Sequence, residues 1–405
     1  MRKKRILMAI ATLALVIPSS GKITGTSSTP GQPDTIRFAV IGDYGNYRHT
    51  EDCPRQRRPV EDVANLVKRW AAGDENFFVI TVGDNNYSTG SASTIDRNIG
   101  QYYHDFIHPY TGSYGPGATT NKFFPSLGNH DWGAVCDNPG GADPYLAYFT
   151  LPGNERYYDF VHGPVQFFAI DSDCNEPHGN RRNQEQARWL RGRLENSTAP
   201  WKLVYFHHPP YSSGRHGSHE YMQWPFKEWR ATAVLAGHDH NYERLFVGDF
   251  PYFVNGLGGQ DRRPIRRCVP GSQIRYDCDF GAMLVTASPS SIKFEFINTG
   301  NQTIDSYTIN SDGSTSSDVP TMPCGMTPVR CECPARILKL KRQTRRFTRP
   351  TRKVRSKPRV RRGANQTFER REILSKDLFI DSRCREYGVL IPKIKEGGSA
   401  KCRSL

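Results

Sequence analysis

The sequence predicts an α/β fold in which two sheets pack face to face with helices outside. Two observations carry the prediction. Up to residue 240, apolar, β-rich runs alternate with helix-period stretches, and most of the runs close on an acid, an asparagine or a histidine. Beyond residue 250, further apolar runs follow one another with short breaks, as antiparallel strands do.

Taken in order, Ile36–Ile41 is a short apolar strand that ends in Gly42-Asp43-Tyr44-Gly45. Pro59 suits the first turn of a helix, where a missing N–H costs nothing. Val60, Val63, Ala64, Val67 and Trp70 then recur at helical spacing, and Gly73 stops the pattern. Residues 77–82 form the next strand, which completes a β-α-β unit with an Asp at the end of each strand. Residues 88–120 mix Gly, Tyr and His and read as helical or irregular cover. Residues 123–127 lead to Gly128-Asn129-His130-Asp131, and residues 165–170 lead to Asp171. Residues 183–194 carry Gln186, Trp189, Leu190 and Leu194 at helical intervals. Strands at 201–206 and Ala233–Ala236 run into His207-His208-Pro209-Pro210 and Gly237-His238-Asp239-His240. Four further strands are expected at 252–254, 283–287, 292–296 and 304–309, in antiparallel arrangement.

The stretch Gly83-Asp84-Asn85-Asn86-Tyr87 is the centre of this pattern. Open α/β sheets place their chemistry at the carboxyl ends of strands, and Gly83 permits a sharp turn there. A carboxylate at such a turn can bridge two cations, and Tyr87 is close enough to reach one of them. Taken singly, a strand-end Asp is a turn former and a lone His is a hydrogen-bonded loop residue. Five strand ends carrying Asp43, Asp84, Asn129, His207, and His238 with His240 do not reduce to that reading jointly. Carboxylate and imidazole donors suit Zn, Fe and Mn.

The composition bounds the setting. The formal charge is +15, yet residues 321–405 hold 24 Lys/Arg against 7 Asp/Glu, leaving 31 against 33 elsewhere. The body is near neutral and the excess sits in the tail. Arg2-Lys3-Lys4-Arg5, the apolar run 6–17 and Ser19-Ser20-Gly21 have the shape of a secretory signal, too short for a membrane span. The expected organisation is a signal peptide at 1–21, a linker at 22–34, a catalytic domain at 35–310, a linker at 311–323 and a basic, Cys-containing tail at 324–405. Export makes the ten cysteines candidates for disulfides. Cys268 with Cys278 is the first expected pair and Cys136 with Cys174 the second. Asn196, Asn301 and Asn365 stand in glycosylation sequons. Asn86 does too, but a metal-binding Tyr87 would enclose it.

Residues 336–362 are densely basic with little apolar content, which predicts disorder and non-specific binding of polyanions. With one aromatic, Phe347, and no groove-reading motif, the run gives no sign of specific nucleic-acid recognition.

The series Gly42-Asp43-x-Gly45, Gly83-Asp84-x-x-Tyr87, Gly128-Asn129-His130-Asp131, Val204-x-x-His207 and Gly237-His238-x-His240 resembles the purple acid phosphatases, within the binuclear metallophosphoesterases. The resemblance covers roughly residues 34–310. The overall size is similar to the small tartrate-resistant type, and Asn241-Tyr242-Glu243-Arg244 to the larger plant type. It implies a four-layer αββα sandwich of two mixed sheets flanked by helices. It also implies a centre of Fe(III) plus a divalent ion (Zn, Fe or Mn). Fe(III) would be held by Asp43, Asp84, Tyr87 and His240, and the divalent ion by Asp84, Asn129, His207 and His238. Most metallophosphoesterases carry a His where this chain has Gly45, and Tyr87 matches that difference.

The implied activity is a secreted or vacuole- or lysosome-resident acid phosphatase. It would hydrolyse phosphate monoesters by in-line attack of a metal-bound hydroxide. By the same resemblance His130 and His216 contact the phosphate or the leaving group: His130 as proton donor, His216 as charge stabiliser. Another reading is a secreted metallophosphoesterase acting on phosphodiesters or nucleotides with a Zn or Mn pair. A protein Ser/Thr phosphatase would carry Arg-Gly after its second motif, where Tyr87-Ser88-Thr89 stands. A non-enzymatic, polyanion-binding protein on this scaffold is the alternative from another class, and the intact donor series argues against it.

Overall fold

A computed structural model describes residues 34–45, 58–265 and 267–320, together with the strand segments 378–379 and 391–392. The chain runs β1 (Ile36–Ile41), α1 (Pro59–Ala71), β2 (Phe78–Thr81), α2 (Ala92–Ile95), a π-helical turn Asp96–Gly100, α3 (Gln101–Tyr103) and β3 (Phe123–Pro125). It continues through α4 (Asp143–Tyr148), β4 (Tyr158–His162), β5 (Val165–Ala169), α5 (Glu185–Asn196), β6 (Trp201–Tyr205), β7 (Ala233–Ala236) and β8 (Tyr242–Val247). The remaining strands of the body are β9 (Phe250–Asn255), β10 (Ser272–Tyr276), β11 (Gly281–Ala287), β12 (Ser291–Asn298), β13 (Thr303–Asn310) and β14 (Thr315–Ser317).

Two seven-stranded mixed sheets result, in the orders β14-β13-β12-β11-β1-β2-β3 and β10-β8-β9-β7-β6-β5-β4. Strands β1, β2 and β3 are parallel, as are β5, β6, β7 and β9. The inner faces meet through aromatic side chains. Phe38 of β1 stands edge-on to Phe167 of β5 at 5.0 Å, and Phe253 of β9 stacks on Phe294 of β12 at 4.8 Å. Each such ring removed from water contributes about 1.5–3 kcal/mol. Helix α1 buries Val60, Val63, Leu66 and Val67 against the outer face of the first sheet. Helix α5 buries Ala187, Leu190 and Leu194 with Val204 and Val234 on the second. The expected αββα layering is the observed one.

The sheets are also joined by charge. Arg244 of β8 donates to Asp305 of β13 at 2.7 Å, and Tyr242 donates to the same carboxylate at 2.8 Å. All three side chains are buried, so each satisfies the others where water cannot. The plant-like Asn241-Tyr242-Glu243-Arg244 stretch therefore serves in part as an inter-sheet clamp.

Three expectations need correction. The strand expected at 252–254 as antiparallel is parallel to β7 and antiparallel only to β8. The reason is a tight hairpin. Gly248 and Asp249 both have positive φ, 58° and 59°, the turn that folds β9 back between β7 and β8. The linker expected at 311–323 is partly sheet: β14 pairs with β13, Ser306 donates to Asp318 at 2.7 Å, and Val319 packs on the core. The body therefore extends past 310. Strands β4, β8, β10 and β14 were not expected.

The chain divides into Met1–Arg336 and Ile337–Leu405. In the second unit the described residues are β15 (Leu378–Phe379) and β16 (Ile391–Pro392), an antiparallel pair. The signal-peptide segment, residues 22–33 and the basic run at 336–362 lie outside the described residues. No helix among the described residues is long and apolar enough to cross a membrane.

Of the expected disulfides, Cys136–Cys174 is formed. Cys268 and Cys278 are also disulfide-bonded; that they pair with each other stays an expectation. Asn196 and Asn301 are exposed, whereas Asn86 is buried and donates to the Ser91 carbonyl, as an enclosed sequon would.

Candidate metal centre

Five strand ends deliver the candidate donors to one place. Asp43 follows β1, Asp84 follows β2, Asn129 follows β3, His207 follows β6, and His238 and His240 follow β7. Three of these residues adopt left-handed backbone: Asp43 (φ 54°), Asp84 (φ 54°) and His238 (φ 68°). Non-glycine residues there cost free energy, and such strain gathers at functional sites. Glycines clear the floor beneath them. A Cβ on Gly83 would stand 2.6 Å from His207 Nδ1, and one on Gly45 would overlap the Asn85 carbonyl oxygen at 1.6 Å. A histidine at position 45 is thus excluded by backbone packing.

The donor atoms form two groups that meet at one oxygen. In the first, the Tyr87 hydroxyl lies 3.1 Å from Asp43 Oδ1 and 3.3 Å from His240 Nε2, which is 3.4 Å from Asp43 Oδ1. In the second, His207 Nε2 lies 3.2 Å from Asn129 Oδ1 and 3.1 Å from His238 Nδ1. Asp84 Oδ2 touches both, 2.8 Å from the Tyr87 hydroxyl and 3.2 Å from His207 Nε2. Its other oxygen, Oδ1, accepts the His130 backbone N–H at 2.8 Å. All seven residues expected as metal ligands are therefore brought together, with Asp84 in the shared position.

The donor set fits metal ions. His207 Nδ1 lies 2.8 Å from the Val82 carbonyl and His240 Nδ1 lies 2.6 Å from the Asp261 carbonyl. Each Nδ1 must donate there, which leaves Nε2 as a lone pair in the neutral ring. Those lone pairs face carboxylate and amide oxygens, acceptor against acceptor. Only a cation or extra protons can reconcile them. Two ligand atoms about 2.1 Å from one ion, at right angles, stand about 3.0 Å apart, the spacing found here. Asp84, His207 and His238 are one candidate metal-holding group among the described residues.

The electrostatics express the same crowding. Burial opposes ionisation of Asp84, but the His207 and His130 charges outweigh it and hold the carboxyl well below its usual range. Burial likewise opposes protonation of His207, yet Asp84 lifts it to about 10. His240, despite burial, is raised to about 9 by Asp261 and Asp43. Burial, then Asp43 and Asp84, push the Tyr87 phenol up. His238 is pushed well down by burial and by the histidines around it.

Behind the donors stand two buried acids to which the sequence assigned no task. Asp131 accepts from the backbone of Asn85, Asn86 and Gly128 at 3.1, 3.0 and 2.9 Å, which ties the Asp84 turn to the Asn129 turn. Asp239 accepts from the backbone of His216 and Gly217 at 2.8 and 3.1 Å and from Ser212. It thereby fixes the loop that carries His216. Their signal was in the motifs, as the last Asp of Gly-Asn-His-Asp and the Asp between two histidines.

Of the two histidines outside the donor set, His130 is half-buried at the rim, its ring 4.2 Å from the Tyr87 ring and its Nδ1 2.5 Å from the Ser88 carbonyl. His216 is exposed and lies over His238, ring centres 4.2 Å apart, with its Nε2 against Arg263. His208 and His219, unassigned by the sequence, flank His238 at 4.5 and 5.1 Å between ring centres. His208 stands next to His207 in the sequence, where the motif spacing favours His207, whereas His219 and Arg263 had no sequence signal, because only folding places them beside this centre. His104, His162 and His178 lie elsewhere: His162 packs on Phe78, His178 contacts Tyr157, and His104 contacts the Gly100 carbonyl.

Residues 36–242 match the family model described as calcineurin-like phosphoesterase. Among curated relatives, "Probable inactive purple acid phosphatase 24" of Arabidopsis thaliana is 26% identical over 340 residues, 71% of this chain and 52% of the relative. Tartrate-resistant acid phosphatase type 5 of Oryctolagus cuniculus is 24% identical over 271 residues, 61% of this chain and 80% of the relative. Among solved structures, the purple acid phosphatase PPD1 of yellow lupin (Lupinus luteus) aligns with a TM-score of 0.54 at 20% identity, over 70% of this chain and 55% of that one. The chain thus spans about half the length of the Arabidopsis and lupin proteins.

Proposed function

The chain belongs to the calcineurin-like phosphoesterase family, and from that premise we propose that it is an exported acid phosphatase. It would hydrolyse phosphate monoesters at a centre of Fe(III) and a divalent ion (Zn, Fe or Mn). The observation that carries the reading is the position of Asp84 Oδ2, shared between the Tyr87–Asp43–His240 group and the His207–Asn129–His238 group. The phenolic oxygen of Tyr87 supports Fe(III) in the first group, since a phenolate is a hard anionic donor. The neutral Asn129 carbonyl supports a divalent ion in the second. Bound there, two ions would neutralise phosphate charge and make water acidic enough to serve as a nucleophile.

The chain's own residues do the rest. Asp131 and Asp239 fix the loops that present Asp84, Asn129 and His216. His130 donates through Nδ1 to the Ser88 carbonyl, so Nε2 is the atom able to pass a proton to a departing alkoxide. Arg263 and His216 cover the His238 side, where the phosphate oxygens would gather negative charge. Two relatives are named as probably inactive; the reading of this chain as active rests on its seven convergent donors. The formed disulfide and the disulfide-bonded Cys268 and Cys278 support export.

Metal analysis with a visible spectrum tests the reading. Iron with a Tyr-to-Fe(III) charge-transfer band, together with turnover of 4-nitrophenyl phosphate in acid, is expected. A colourless, fully Zn- or Mn-loaded protein that prefers phosphodiesters would overturn it.

A further inference from the structure

We propose that the cavity beside the metal centre is a second anion-binding subsite, which favours phosphomonoesters whose alcohol portion carries a further phosphate or carboxylate. The inference rests on the phosphomonoesterase reading and adds the substrate class. The cavity has a volume of about 560 Å³ and opens from Asn129, one of the candidate ligands. That volume suits an organic group of sugar-phosphate size rather than a single phosphate.

Its wall is a run of histidine and tyrosine rings leading to the exposed Arg181. The His208 ring stands 4.5 Å from His238 and 6.3 Å from Tyr221. His219 stands 5.0 Å from His208 and 5.6 Å from Tyr221. The Arg181 guanidinium lies over the Tyr221 ring, 5.8 Å from its centre. Arg181 is held at its backbone by Gln184, whose Oε1 accepts its N–H at 2.8 Å. Its planar fork suits paired oxygens of phosphate or carboxylate.

The cavity also contains two acids, one paired with a cation and one hydrogen-bonded to its own loop. Glu176 pairs with Arg156 at 3.0 Å. Asp173 accepts from the backbone and side chain of Asn175 at 2.9 and 2.8 Å. Arg181 is the cation among the lining residues, and the Asp173 carboxylate, whose Asn175 partner is neutral, is turned into its own loop rather than toward Arg181's fork. A substrate anchored by one phosphate at the metal centre would extend along His208 and Tyr221 and offer its second anion there.

The test compares matched esters on the metal-loaded full chain: hexose 1,6-bisphosphate against hexose 6-phosphate, and 3-phosphoglycerate against glycerol 3-phosphate. The first pair differs by a phosphate and the second by a carboxylate. In the native protein, kcat/KM is expected to favour the doubly anionic member of at least one pair by about tenfold or more, the effect of one charge-assisted contact. Arg181→Ala should bring that ratio close to one, mainly through KM, and Arg181→Lys should restore part of it. A native ratio near one for both pairs, or a ratio unmoved by Arg181→Ala, overturns the inference. Failure to turn over 4-nitrophenyl phosphate would instead remove the phosphatase reading. The same ratios would then be read from calorimetric binding of each ester, so the subsite stands or falls separately.

Discussion

Arg263 donates through Nη1 to Nε2 of His216, and His216 lies over His238 with ring centres 4.2 Å apart. A guanidinium has no acceptor and stays charged, so His216 must accept through Nε2 and is neutral. Partial desolvation of its ring against the centre, and then the Arg263 charge, also hold it below the usual histidine range. The positive charge above the centre therefore belongs to Arg263, whereas the sequence pointed to His216 for charge stabilisation. Arg263→Ala should lower kcat/KM for a phosphomonoester by about 10²-fold, as loss of an oxyanion contact does. His216→Ala should cost no more than that. Steady-state kinetics on both variants check the order, and a silent Arg263→Ala would return the role to His216.

Tyr87 gives a colour test. Its hydroxyl donates to Asp84 at 2.8 Å and contacts Asp43 at 3.1 Å in a site that raises its pKa by burial and by those two carboxylates. A phenol so placed ionises only opposite a strong cation. Tyr87→Phe deletes one oxygen, should abolish the visible band, and should cost about 1 kcal/mol of metal-free stability. Absorbance and thermal melts read the two effects, and a variant that keeps its colour removes Tyr87 from the iron.

His130 should matter in proportion to the leaving group. Its Nδ1 is fixed by the Ser88 carbonyl, which leaves Nε2 for proton transfer at the rim. His130→Ala should slow an alkyl phosphate by about 10²-fold or more, within the range of general acid catalysis. Its effect on 4-nitrophenyl phosphate, whose leaving group needs no proton, should be much smaller. Equal losses on both would leave His130 as a phosphate contact only.

What the sequence made legible and what it hid have physical causes. Asp43, Asp84, Asn129, His207, His238 and His240 were readable because each interrupts an apolar run with a polar side chain after a strand. Tyr87 was readable because it follows Asp84 by three residues. Arg263 and His219 were not, since nothing local separates them from ordinary loop residues until the chain closes around His238, and His208 was passed over because its neighbour His207 fits the motif spacing. Strand β8 was missed because its Gly248-Asp249 turn was passed over, and that turn also sets β9 parallel to β7. Strand β14 was missed because Thr315, Ser316 and Ser317 are exposed, and only pairing with β13 makes them a strand.

The metal-free site should hold protons that metals displace. His207 and His240 rise to about 10 and about 9 in the folded protein, against burial, through Asp84, Asp261 and Asp43. Both values lie above the ordinary 6.5, so their stabilisation of the metal-free fold is complete below about pH 6.5 and fades as pH climbs through 9 to 10. Metals require the neutral rings. Metal uptake near pH 7 should therefore release protons, and apparent affinity should grow with pH across that window. An indicator dye in weak buffer measures the release. Affinity that is flat or falls between pH 6.5 and 9 would contradict the assignment of these two ligands.

The basic tail can be removed at a boundary the structure corrects. Truncation after Ser317 would leave β14 in place but lose the Asp318–Ser306 bond and the packing of Val319. The first compact unit instead ends at Arg336. Residues 337–405 hold 22 Lys/Arg against 6 Asp/Glu, a charge excess that attracts polyanions without regard to sequence. Truncation after Arg336 should leave hydrolysis of a small phosphomonoester within about twofold, because every candidate ligand precedes residue 241. The same truncation should remove binding to heparin, which in the full chain weakens steeply as salt rises and screens the charges. Heparin affinity chromatography over a salt gradient and phosphatase assays on both forms read the two outcomes. Undiminished heparin binding would place the polyanion surface on the near-neutral body. Loss of turnover would show that residues 337–405 support the catalytic fold.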